Sequence, residues 1–321
     1  AVTGVHGKST TTALGAYAFS RAGLKPSYLV GTAMIPDLGV NGRWDDGAHF
    51  IVEGDEYTKK LGVASPKFLD LSPATTIITS IEWEHVDIYH NVEELEHAFG
   101  RLAQQTTGAV VACTDWPAVA RAVDPVADRV VSYGVSAAAD WQVFDYRGSA
   151  AGSAFRLRYR GRHAADLTMR LSGLHNALNA TAVFIVGSSY GISHDVLAAA
   201  IADFRGLERR SEVTVTPTIT WVDDYGHHPT EVAVTLKAMR DRFGSARLTC
   251  VFQPHMASRT AALLDQFAKS FAAADAVLVV DQFASAREAG QGIGSKELAA
   301  AISRYHTSAL YIGSLQQAAD Y

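Results

Sequence analysis

The chain has 321 residues, of which 48% are hydrophobic and 19% charged, and its formal net charge is −5. This length and composition predict two globular domains with a sizeable core, and the mild negative charge argues against a nucleic acid partner. No apolar run approaches the ~20 residues that span a bilayer, so no membrane insertion is expected. The only cysteines, Cys113 and Cys250, lie far apart. A disulfide framework is therefore not expected, and a reducing compartment, the cytoplasm, is favoured.

The first part of the chain alternates between predicted strands and helices. The opening Ala-Val-Thr is typical of the end of a strand, and we expect further residues upstream of Ala1. Apolar spacing predicts a helix over residues 10–22. Short strands are predicted at 28–30 and 50–52, and the β-branched run at 75–81 is typical of a buried parallel strand. This alternation predicts an α/β sheet covered by helices.

The middle of the chain has a different pattern. Residues 155–160 (FRLRYR) alternate apolar and basic side chains, which predicts a strand with one solvated face. A second helix is predicted after Ser193, closing near Gly206. The charged stretch that follows is interpreted as a boundary, which divides the chain into domains 1–210 and 211–321.

The last part of the chain is predicted to repeat the strand–helix alternation. Strands are expected at 219–222, 247–252 and 276–280. A helix between the last two would carry one apolar face formed by Leu264, Phe267, Ala268 and Phe271. The second domain is therefore predicted to contain a parallel, nucleotide-fold-like sheet.

A glycine-rich loop, residues 4–9 (GVHGKS), stands between the first predicted strand and helix. Glycines let backbone N–H groups turn towards an anion, and the helix N-terminus adds partial positive charge. Lys8 can reach the outer phosphates of a nucleotide, and the Ser9 hydroxyl can bind Mg²⁺. The strict P-loop pattern requires a glycine where Val2 stands, so this loop is a shorter variant. The strand–loop–helix setting favours phosphate binding over the alternative, a turn with a surface lysine.

Two candidate ligands follow predicted strands. Glu53 comes directly after the strand at 50–52, and the carboxyl ends of strands in an open α/β sheet face the ligand crevice. Since Mg²⁺ on a P-loop hydroxyl usually needs a neighbouring carboxylate, Glu53 is the candidate; the alternative is an ordinary loop acid. His85 follows the strand at 75–81. A lone histidine is more often a packing residue, but this position makes it a candidate metal or phosphate contact.

Together these elements resemble the Mur ligases, the ATP-dependent enzymes that assemble the peptide of bacterial cell-wall precursors. The family patterns G-T-x-G-K-[TS]-T, E-[AG]-D-E and T-N-I-E-x-D-H correspond here to residues 4–10, 53–56 and 79–85. Residues 173–180 (GLHNALNA) are similar to the family segment that contacts the ATP base. Residues 204–210 (FRGLERR) are similar to its interdomain signature. The ordered motifs cover nearly the whole chain.

The resemblance implies an α/β fold with a P-loop-type central ATPase domain, which has a mixed sheet, and a Rossmann-like C-terminal domain. It implies an ADP-forming ligase of peptidoglycan precursor synthesis that uses ATP and Mg²⁺. The implied ATP-binding residues are Gly4, His6, Gly7, Lys8, Ser9, Thr10, His175, Asn176, Asn179, Arg210 and Asp224. The implied metal ligands are Ser9, Glu53 and His85.

Two further segments resemble the branch of the family that joins L-alanine to UDP-N-acetylmuramate. They are residues 223–231 (DDYGHHPTE) and 252–260 (FQPHMASRT), and residues 281–288 end in the Ala-Arg-Glu that is usual in that branch. The resemblance implies that Asp224 lies near the ATP ribose. It implies a catalytic set of Lys8, His85, His228 and Arg259 and a substrate-binding set of His228, His255 and Arg259. A guanidinium is well suited to hold an amino-acid carboxylate.

Two alternatives remain open. A longer stretch around Lys59 to Lys67 and the sequence Asp-Glu-Tyr at 55–57 resemble the branch that attaches a ready-made tripeptide to UDP-N-acetylmuramate during murein-peptide recycling. An ATP-binding module without ligase activity is motivated by Ser80 and Glu84, where the family usually has Asn and Asp. A full family member also begins with a UDP-binding domain and continues past the position of Tyr321, so this chain is expected to be a fragment.

Overall fold

The fold was examined in a computed structural model that describes residues 1–58, 65–86, 88–283 and 292–321. Two features used above lie outside these ranges: most of the stretch around Lys59 to Lys67, and residues 284–288 with their Ala-Arg-Glu sequence. Contacts between Cα atoms group the described residues into two compact units. The first unit comprises residues 1–83 and 88–224, and the second comprises residues 84–86 and the chain from Tyr225 to Tyr321.

The first unit contains the following strands and α-helices in chain order. They are β1 (Val2–Thr3), α1 (Lys8–Arg21), β2 (Ser27–Leu29), β3 (Gly42–Arg43), β4 (Phe50–Val52), β5 (Thr76–Ile78), α2 (Val92–Gln105), β6 (Val110–Cys113), α3 (Pro117–Val123), β7 (Val130–Gly134), β8 (Trp141–Ser149), β9 (Gly152–Tyr159), β10 (Arg162–Met169), α4 (Leu174–Ser189), α5 (His194–Asp203), β11 (Glu212–Val215) and β12 (Thr220–Asp223). Short 3₁₀ helices cover Lys67–Asp70 and Asp124–Arg129.

The largest sheet among the described residues has the strand order β1-β5-β6-β7-β8-β9-β10. In this sheet β1, β5, β6, β7 and β8 pair in parallel, whereas β8, β9 and β10 pair antiparallel. Every residue of β5 and β6 is buried, as expected for parallel strands that are covered on both faces. In β9 the buried Phe155 and Leu157 alternate with more exposed arginines. The predicted mixed sheet and its solvated strand face are confirmed.

Helices cover this sheet in two groups. Helices α1, α4 and α5 pack against one another around a core that includes Leu14, Phe184 and Phe204. Helices α2 and α3 form a second core with Phe99 and residues of β5 and β6. α4 is buried along most of its length, so its sequence is apolar on nearly all sides rather than on one stripe.

A small sheet of order β3-β2-β4 positions the predicted metal ligand Glu53. Strand β4 pairs in parallel with β2, and Glu53 at its carboxyl end forms an isolated parallel bridge with Val2 of β1. The N–H of Gly54 also donates to the carbonyl of Val2 at 2.7 Å. The end of β4 is thereby fixed beside the strand that leads into the glycine-rich loop.

The second unit is built around a three-stranded parallel sheet of order β13-β14-β15. Its elements are α6 (Pro229–Phe243), β13 (Thr249–Phe252), α7 (Ala257–Ala262), α8 (Leu264–Lys269), β14 (Ala276–Val280), α9 (Ser295–Ile302), β15 (Ala309–Gly313) and α10 (Leu315–Asp320). The predicted parallel sheet is confirmed for β13 and β14, and β14 has the predicted bounds and is fully buried. The strand predicted at 219–222 is not part of this sheet, because β12 pairs antiparallel with β11.

Three details of the fold differ from the sequence prediction or extend it. The helix predicted to carry Leu264, Phe267, Ala268 and Phe271 is present as α8, although it ends at Lys269, before Phe271. A separate short helix, α7, precedes it, and Leu263 between the two has a φ of −113° and a ψ of 21°, which are not helical. The compact units divide after Asp224, so the β11–β12 hairpin belongs to the first unit, while the domain boundary at 210/211 stays a prediction. None of the helices in the described parts of the chain has the length and apolarity needed to cross a membrane.

Candidate active site

The glycine-rich loop of the first unit connects β1 to the N-terminus of α1. Gly4 has a φ of +129°, and a Cβ there would lie 2.8 Å from the backbone nitrogen of Ser80. Gly7 is the N-cap of α1 with a φ of +81°, and a Cβ there would lie 2.5 Å from Asn179 Oδ1. Positive φ and close approach both require glycine, so the two glycines give the loop its shape.

The loop is fastened to the segment that follows β5. The N–H of Val5 donates to the carbonyl of Ser80 at 3.0 Å, and the N–H of His6 donates to Ser80 Oγ at 2.8 Å. Thr79 Oγ1 in turn donates to the carbonyl of His6. Ser80, which replaces the family's usual Asn, therefore still provides hydrogen bonds to the loop.

Lys8 lies at the start of α1, and its ammonium group contacts the side chain of Glu56. Lys8 Nζ is 2.8 Å from Glu56 Oε2, and it also donates to the carbonyl of Val5 at 3.2 Å. The Glu56 side chain is buried, and its backbone carbonyl accepts a hydrogen bond from the Tyr89 hydroxyl. The phosphate-binding candidate is thus held in place by a buried carboxylate that the sequence analysis did not assign to the site.

Ser9 and Glu53, two of the predicted metal ligands, are brought together. Ser9 Oγ donates to Glu53 Oε1 at 2.9 Å, and the N–H of Gly31 donates to Glu53 Oε2 at 2.7 Å. A hydroxyl and a carboxylate at a helix N-terminus are hard oxygen donors of the kind that Mg²⁺ prefers, so these residues fit the implied ion.

The amide residues predicted to contact the ATP base lie next to the phosphate loop. Asn176 and Asn179 are buried on the first turns of α4, and Asn179 Nδ2 donates to Asn176 Oδ1 at 3.4 Å. Asn176 Nδ2 donates to the carbonyl of Ser172 at 2.8 Å. Because Asn179 also abuts Gly7, the predicted base segment and the phosphate loop meet within one unit. His175 lies in the same first turn of α4 and is half-buried.

The remaining predicted ATP residues of the first unit lie in the first turn of α1 and at the β11–β12 hairpin. Thr10 is half-buried in the first turn of α1. Asp224 accepts hydrogen bonds from the N–H and the hydroxyl of Ser211, at 2.8 and 3.0 Å, and so closes the β11–β12 hairpin. Arg210 lies in the turn that precedes the hairpin, where its N–H donates to the carbonyl of Leu207.

His6 has a side-chain partner that the sequence analysis missed. Its Nε2 is 2.8 Å from Glu82 Oε2, and its ring centroid is 6.1 Å from that of Trp116. Glu82 belongs to the stretch after β5, in which the sequence analysis considered only His85 as a candidate site residue. The carboxylate fixes the orientation of the imidazole at the tip of the loop.

A buried ionic cluster in the second unit centres on Glu84. Glu84 Oε1 accepts hydrogen bonds from Arg259 Nη2 and from His227 Nε2, each at 3.1 Å. His227 Nδ1 also lies 3.0 Å from the carbonyl of Tyr225 and 3.5 Å from Glu231 Oε2. Both ring nitrogens of His227 therefore face acceptors, an arrangement that favours the imidazolium.

The charges in this cluster shift the pKa values of two members. Burial by itself would raise the pKa of Glu84, but the hydrogen bond and positive charge of His227 bring it well below its ordinary value. Burial would lower the pKa of His227, but the charge of Glu231 and the hydrogen bond that His227 donates to Glu84 raise it above its ordinary value. Glu84 is therefore ionised, and its carboxylate interacts with two cationic side chains, those of His227 and Arg259.

His228 and His255, the predicted substrate residues, take different positions in this unit. His228 is fully buried and is the N-cap of α6: its side chain accepts from the N–H of Thr230, and Glu231 accepts from the His228 N–H in a capping box. His255 stacks on Phe283, with ring centroids 5.1 Å apart and planes 9° apart.

His85 belongs to the second unit and has a φ of 53°. Non-glycine residues seldom adopt this left-handed conformation, and such strained positions concentrate at functional sites. The three-residue metal set that includes His85 stays a prediction.

Comparison with known proteins identifies the family. Residues 2–187 match the Mur ligase middle domain, and residues 209–321 match the Mur ligase glutamate ligase domain. The chain belongs to the Mur ligase family.

Relatives and solved structures add detail to this assignment. The chain is 40% identical to the UDP-N-acetylmuramate–L-alanine ligase of Roseiflexus castenholzii over 91% of its own length, and 34% identical to the enzyme of that name from Geobacter sp. over 95%. It spans 63% and 65% of the length of these two relatives. The structure of UDP-N-acetylmuramate-alanine ligase from Thermotoga maritima superposes with a TM-score of 0.80 at 25% identity, covering 99% of this chain and 67% of that one.

The alternative branch is less similar in structure to this Mur ligase chain. The UDP-N-acetylmuramate:L-alanyl-gamma-D-glutamyl-meso-diaminopimelate ligase from Neisseria meningitides has a TM-score of 0.57 at 25% identity and covers 65% of this chain and 66% of its own. The predicted family and fold class are confirmed. In the first unit the structure groups the phosphate loop with Glu53 and Asn179, while the roles of all predicted site residues stay predictions.

Proposed function

We propose that this protein is an ATP-dependent, ADP-forming ligase that joins L-alanine to UDP-N-acetylmuramate in the cytoplasm, as a step of peptidoglycan precursor synthesis. The observation that carries the proposal is the 40% identity to an L-alanine ligase over 91% of the chain. A second relative of the same name, from Geobacter sp., is 34% identical over 95% of the chain and supports this branch.

The first chemical step activates a carboxylate, which is a poor electrophile in water. The γ-phosphoryl group of ATP moves to an oxygen of the muramoyl carboxylate, and ADP leaves. The amine of L-alanine then attacks the acyl carbon, the bond from that carbon to the phosphate oxygen breaks, and phosphate departs as the amine loses its proton to solvent. One amide bond forms for each ATP that is split.

The residues of the first unit serve the phosphate end. The turned backbone of the loop and the N-terminus of α1 favour a bound phosphate, and the ammonium of Lys8 offsets charge on the transferring group. Ser9 and Glu53 would hold Mg²⁺, which supplies positive charge to the phosphate oxygens. Asn176 and Asn179 are proposed for the base and Asp224 for the ribose.

The residues of the second unit serve the amino acid. The Arg259 guanidinium is proposed to hold the L-alanine carboxylate, because planar forked donors match a carboxylate in geometry and charge. His255, which stacks on Phe283, is proposed to contact substrate. His228, which is proposed to be catalytic, is also the buried N-cap of α6, so experiments must separate its role in catalysis from its role in capping the helix.

The decisive experiment compares acceptors in the full-length protein. We expect ADP release with UDP-N-acetylmuramate and L-alanine, and amide product by mass spectrometry. Turnover with the tripeptide alone would assign the protein to the recycling branch, and nucleotide binding without turnover of either acceptor would leave an ATP-binding module.

The phosphate end is tested separately through Glu53. We expect Glu53→Gln to lower kcat about 100-fold and to raise the Mg²⁺ concentration needed for half-maximal rate, because a carboxylate ligand becomes neutral. Asp46→Asn, a neutralisation at an exposed loop position, is the matched control and should behave as wild type. An unchanged Mg²⁺ requirement in Glu53→Gln would exclude Glu53 as a metal ligand.

A further inference from the structure

Glu84 occupies an unusual position for a carboxylate. Its side chain is buried, and one oxygen, Oε1, accepts from two cationic side chains: Arg259 on α7 and His227 in the segment leading into α6. His227 is held in turn by Glu231, whose Oε2 accepts from the His227 N–H at 2.9 Å. Glu84 is therefore fixed by two donors that come from separate parts of the second unit.

Arg259 is nearly as buried as Glu84, with 6% of its surface exposed. Among the described residues, the contact with Glu84 is the one hydrogen bond and ion pair that the Arg259 side chain makes. A guanidinium carries five N–H donors, and Glu84 engages only one of them through Nη2. The other four N–H groups have no acceptor among the described residues, so they can donate to a ligand.

The number and geometry of these N–H groups indicate which kind of ligand Arg259 could bind. A planar guanidinium with free N–H groups binds a carboxylate best, through two parallel hydrogen bonds. Such a pair of bonds forms more readily if the guanidinium is already oriented, because an unrestrained arginine loses rotamer freedom when it is immobilised. The bond to Glu84 supplies this orientation before the ligand arrives.

We propose that Glu84 is a positioning residue that orients Arg259 so that its remaining N–H groups bind the carboxylate of the incoming amino acid. This inference rests on the proposed function and deepens its acceptor half, since it adds a residue that does not touch the substrate itself. It also gives a role to the extra methylene of Glu84, which stands where the family usually has Asp: the longer side chain places one oxygen within reach of both Arg259 and His227.

The test measures KM for each substrate in the full-length protein. We expect Glu84→Gln to raise the KM for L-alanine about 10- to 100-fold, which corresponds to one hydrogen bond between charged groups, and to change the KM for ATP less than twofold. Glu84→Asp keeps the charge but has a shorter reach, so its KM should fall between Glu84→Gln and wild type. Glu93→Gln, on the exposed first turn of α2, is the matched control and should leave both KM values unchanged.

A double-mutant cycle with Arg259→Ala shows whether Glu84 acts through Arg259. We expect Arg259→Ala to raise the KM for L-alanine, and Glu84→Gln to add nothing in that background. Independent, multiplying effects would overturn the proposal, as would an equal rise in the KM for ATP or a wild-type KM in folded Glu84→Gln. Should Glu84→Gln fail to fold, Glu84→Asp carries the same comparison.

The failure of this inference is distinguishable from failure of the proposed function. If wild type turns over another amine substrate, the alanine assignment fails, and the same cycle with that substrate still decides the role of Glu84. If no substrate is turned over, calorimetric titration of L-alanine in the presence of a non-hydrolysable ATP analogue and UDP-N-acetylmuramate gives the comparison without catalysis. Equal affinity of wild type and Glu84→Gln for L-alanine, or no measurable affinity in wild type, overturns the inference.

Discussion

The Oδ1 atom of Asn179 lies 2.5 Å from the position that a Cβ on Gly7 would occupy. This close approach joins the start of α4 to the N-cap of α1, two helices that are remote in sequence. It leaves no room for any side chain at the turn of the phosphate loop. The loop can therefore keep its shape only with glycine at this position.

Gly7→Ala should abolish nucleotide binding, because the new methyl group displaces either Asn179 or the loop itself. Gly23→Ala is a matched control: Gly23 has a similar φ of +76°, but nothing lies within 4 Å of its Cβ position. Both variants carry the strain of a left-handed alanine, about 1 kcal/mol, while only Gly7→Ala carries the clash. Thermal unfolding and titration with a fluorescent nucleotide separate the two effects. Equal nucleotide affinity in both variants would contradict the role assigned to the contact.

Lys8→Met should lower the free energy of unfolding by about 3 kcal/mol and abolish ATP turnover, since it leaves the buried carboxylate of Glu56 without its cation. The double variant Lys8→Met/Glu56→Gln should recover much of the stability and none of the turnover. Lys67→Met is the control, because the Lys67–Asp55 pair is exposed and worth at most about 1 kcal/mol. Urea denaturation and ADP release give the two readouts. Unchanged stability in Lys8→Met would show that the ion pair does not hold the loop.

The sequence contained enough information to place Ser9 beside Glu53. Both residues follow strands whose carboxyl ends lie at the same edge of the sheet. The bridge between Val2 and Glu53 sets the register, and the Ser9 hydroxyl donates to Glu53 as a result. The bounds of β4 and β14 could also be predicted from the sequence, because short apolar runs rich in β-branched residues are typical of buried parallel strands.

Contacts that depend on loop geometry were not predictable in this way. Nothing in the sequence indicates that Glu56 rather than Asp55 turns towards Lys8, because the backbone after β4 is irregular and has no period. The bond between Glu84 and Arg259 joins residues 175 positions apart, and only the folded chain brings them together. The split between α7 and α8 at Leu263 was also hidden, since the apolar spacing continues across it.

His228→Ala should be about 1 kcal/mol less stable than His228→Asn, because asparagine retains an acceptor for the N–H groups at the start of α6 and alanine does not. Ser314→Ala at the N-cap of α10 is a reference for the cost of losing a cap. Thermal unfolding gives the stabilities. ADP release then tests the predicted catalytic role: if His228 acts only as a cap, His228→Asn turns over substrate at a rate close to wild type.

The stability of the second unit should depend on pH through His227 and Glu84. The pKa of His227 is raised in the folded state, so its contribution is fully present below the unfolded value of about 6.5 and is lost as pH rises through the folded pKa. The pKa of Glu84 is lowered, so its contribution is present above the unfolded value of about 4.3 and is lost as pH falls towards the folded pKa. Both contributions are therefore complete between about pH 4.3 and 6.5.

This window predicts the behaviour of His227→Gln, which keeps a hydrogen-bonding side chain but cannot carry a charge. The difference in unfolding free energy between wild type and His227→Gln should be largest near pH 5.5 and should shrink as pH rises above neutrality, where wild-type His227 loses its proton. Urea denaturation at a series of pH values measures this difference. His90→Gln is the control, because His90 is exposed and its side chain pairs, within the described part of the chain, only with the nearby Glu94. A difference that stays constant from pH 5.5 to pH 9 would mean that His227 stabilises the cluster as a neutral imidazole, and the charge assigned to the cluster would be wrong.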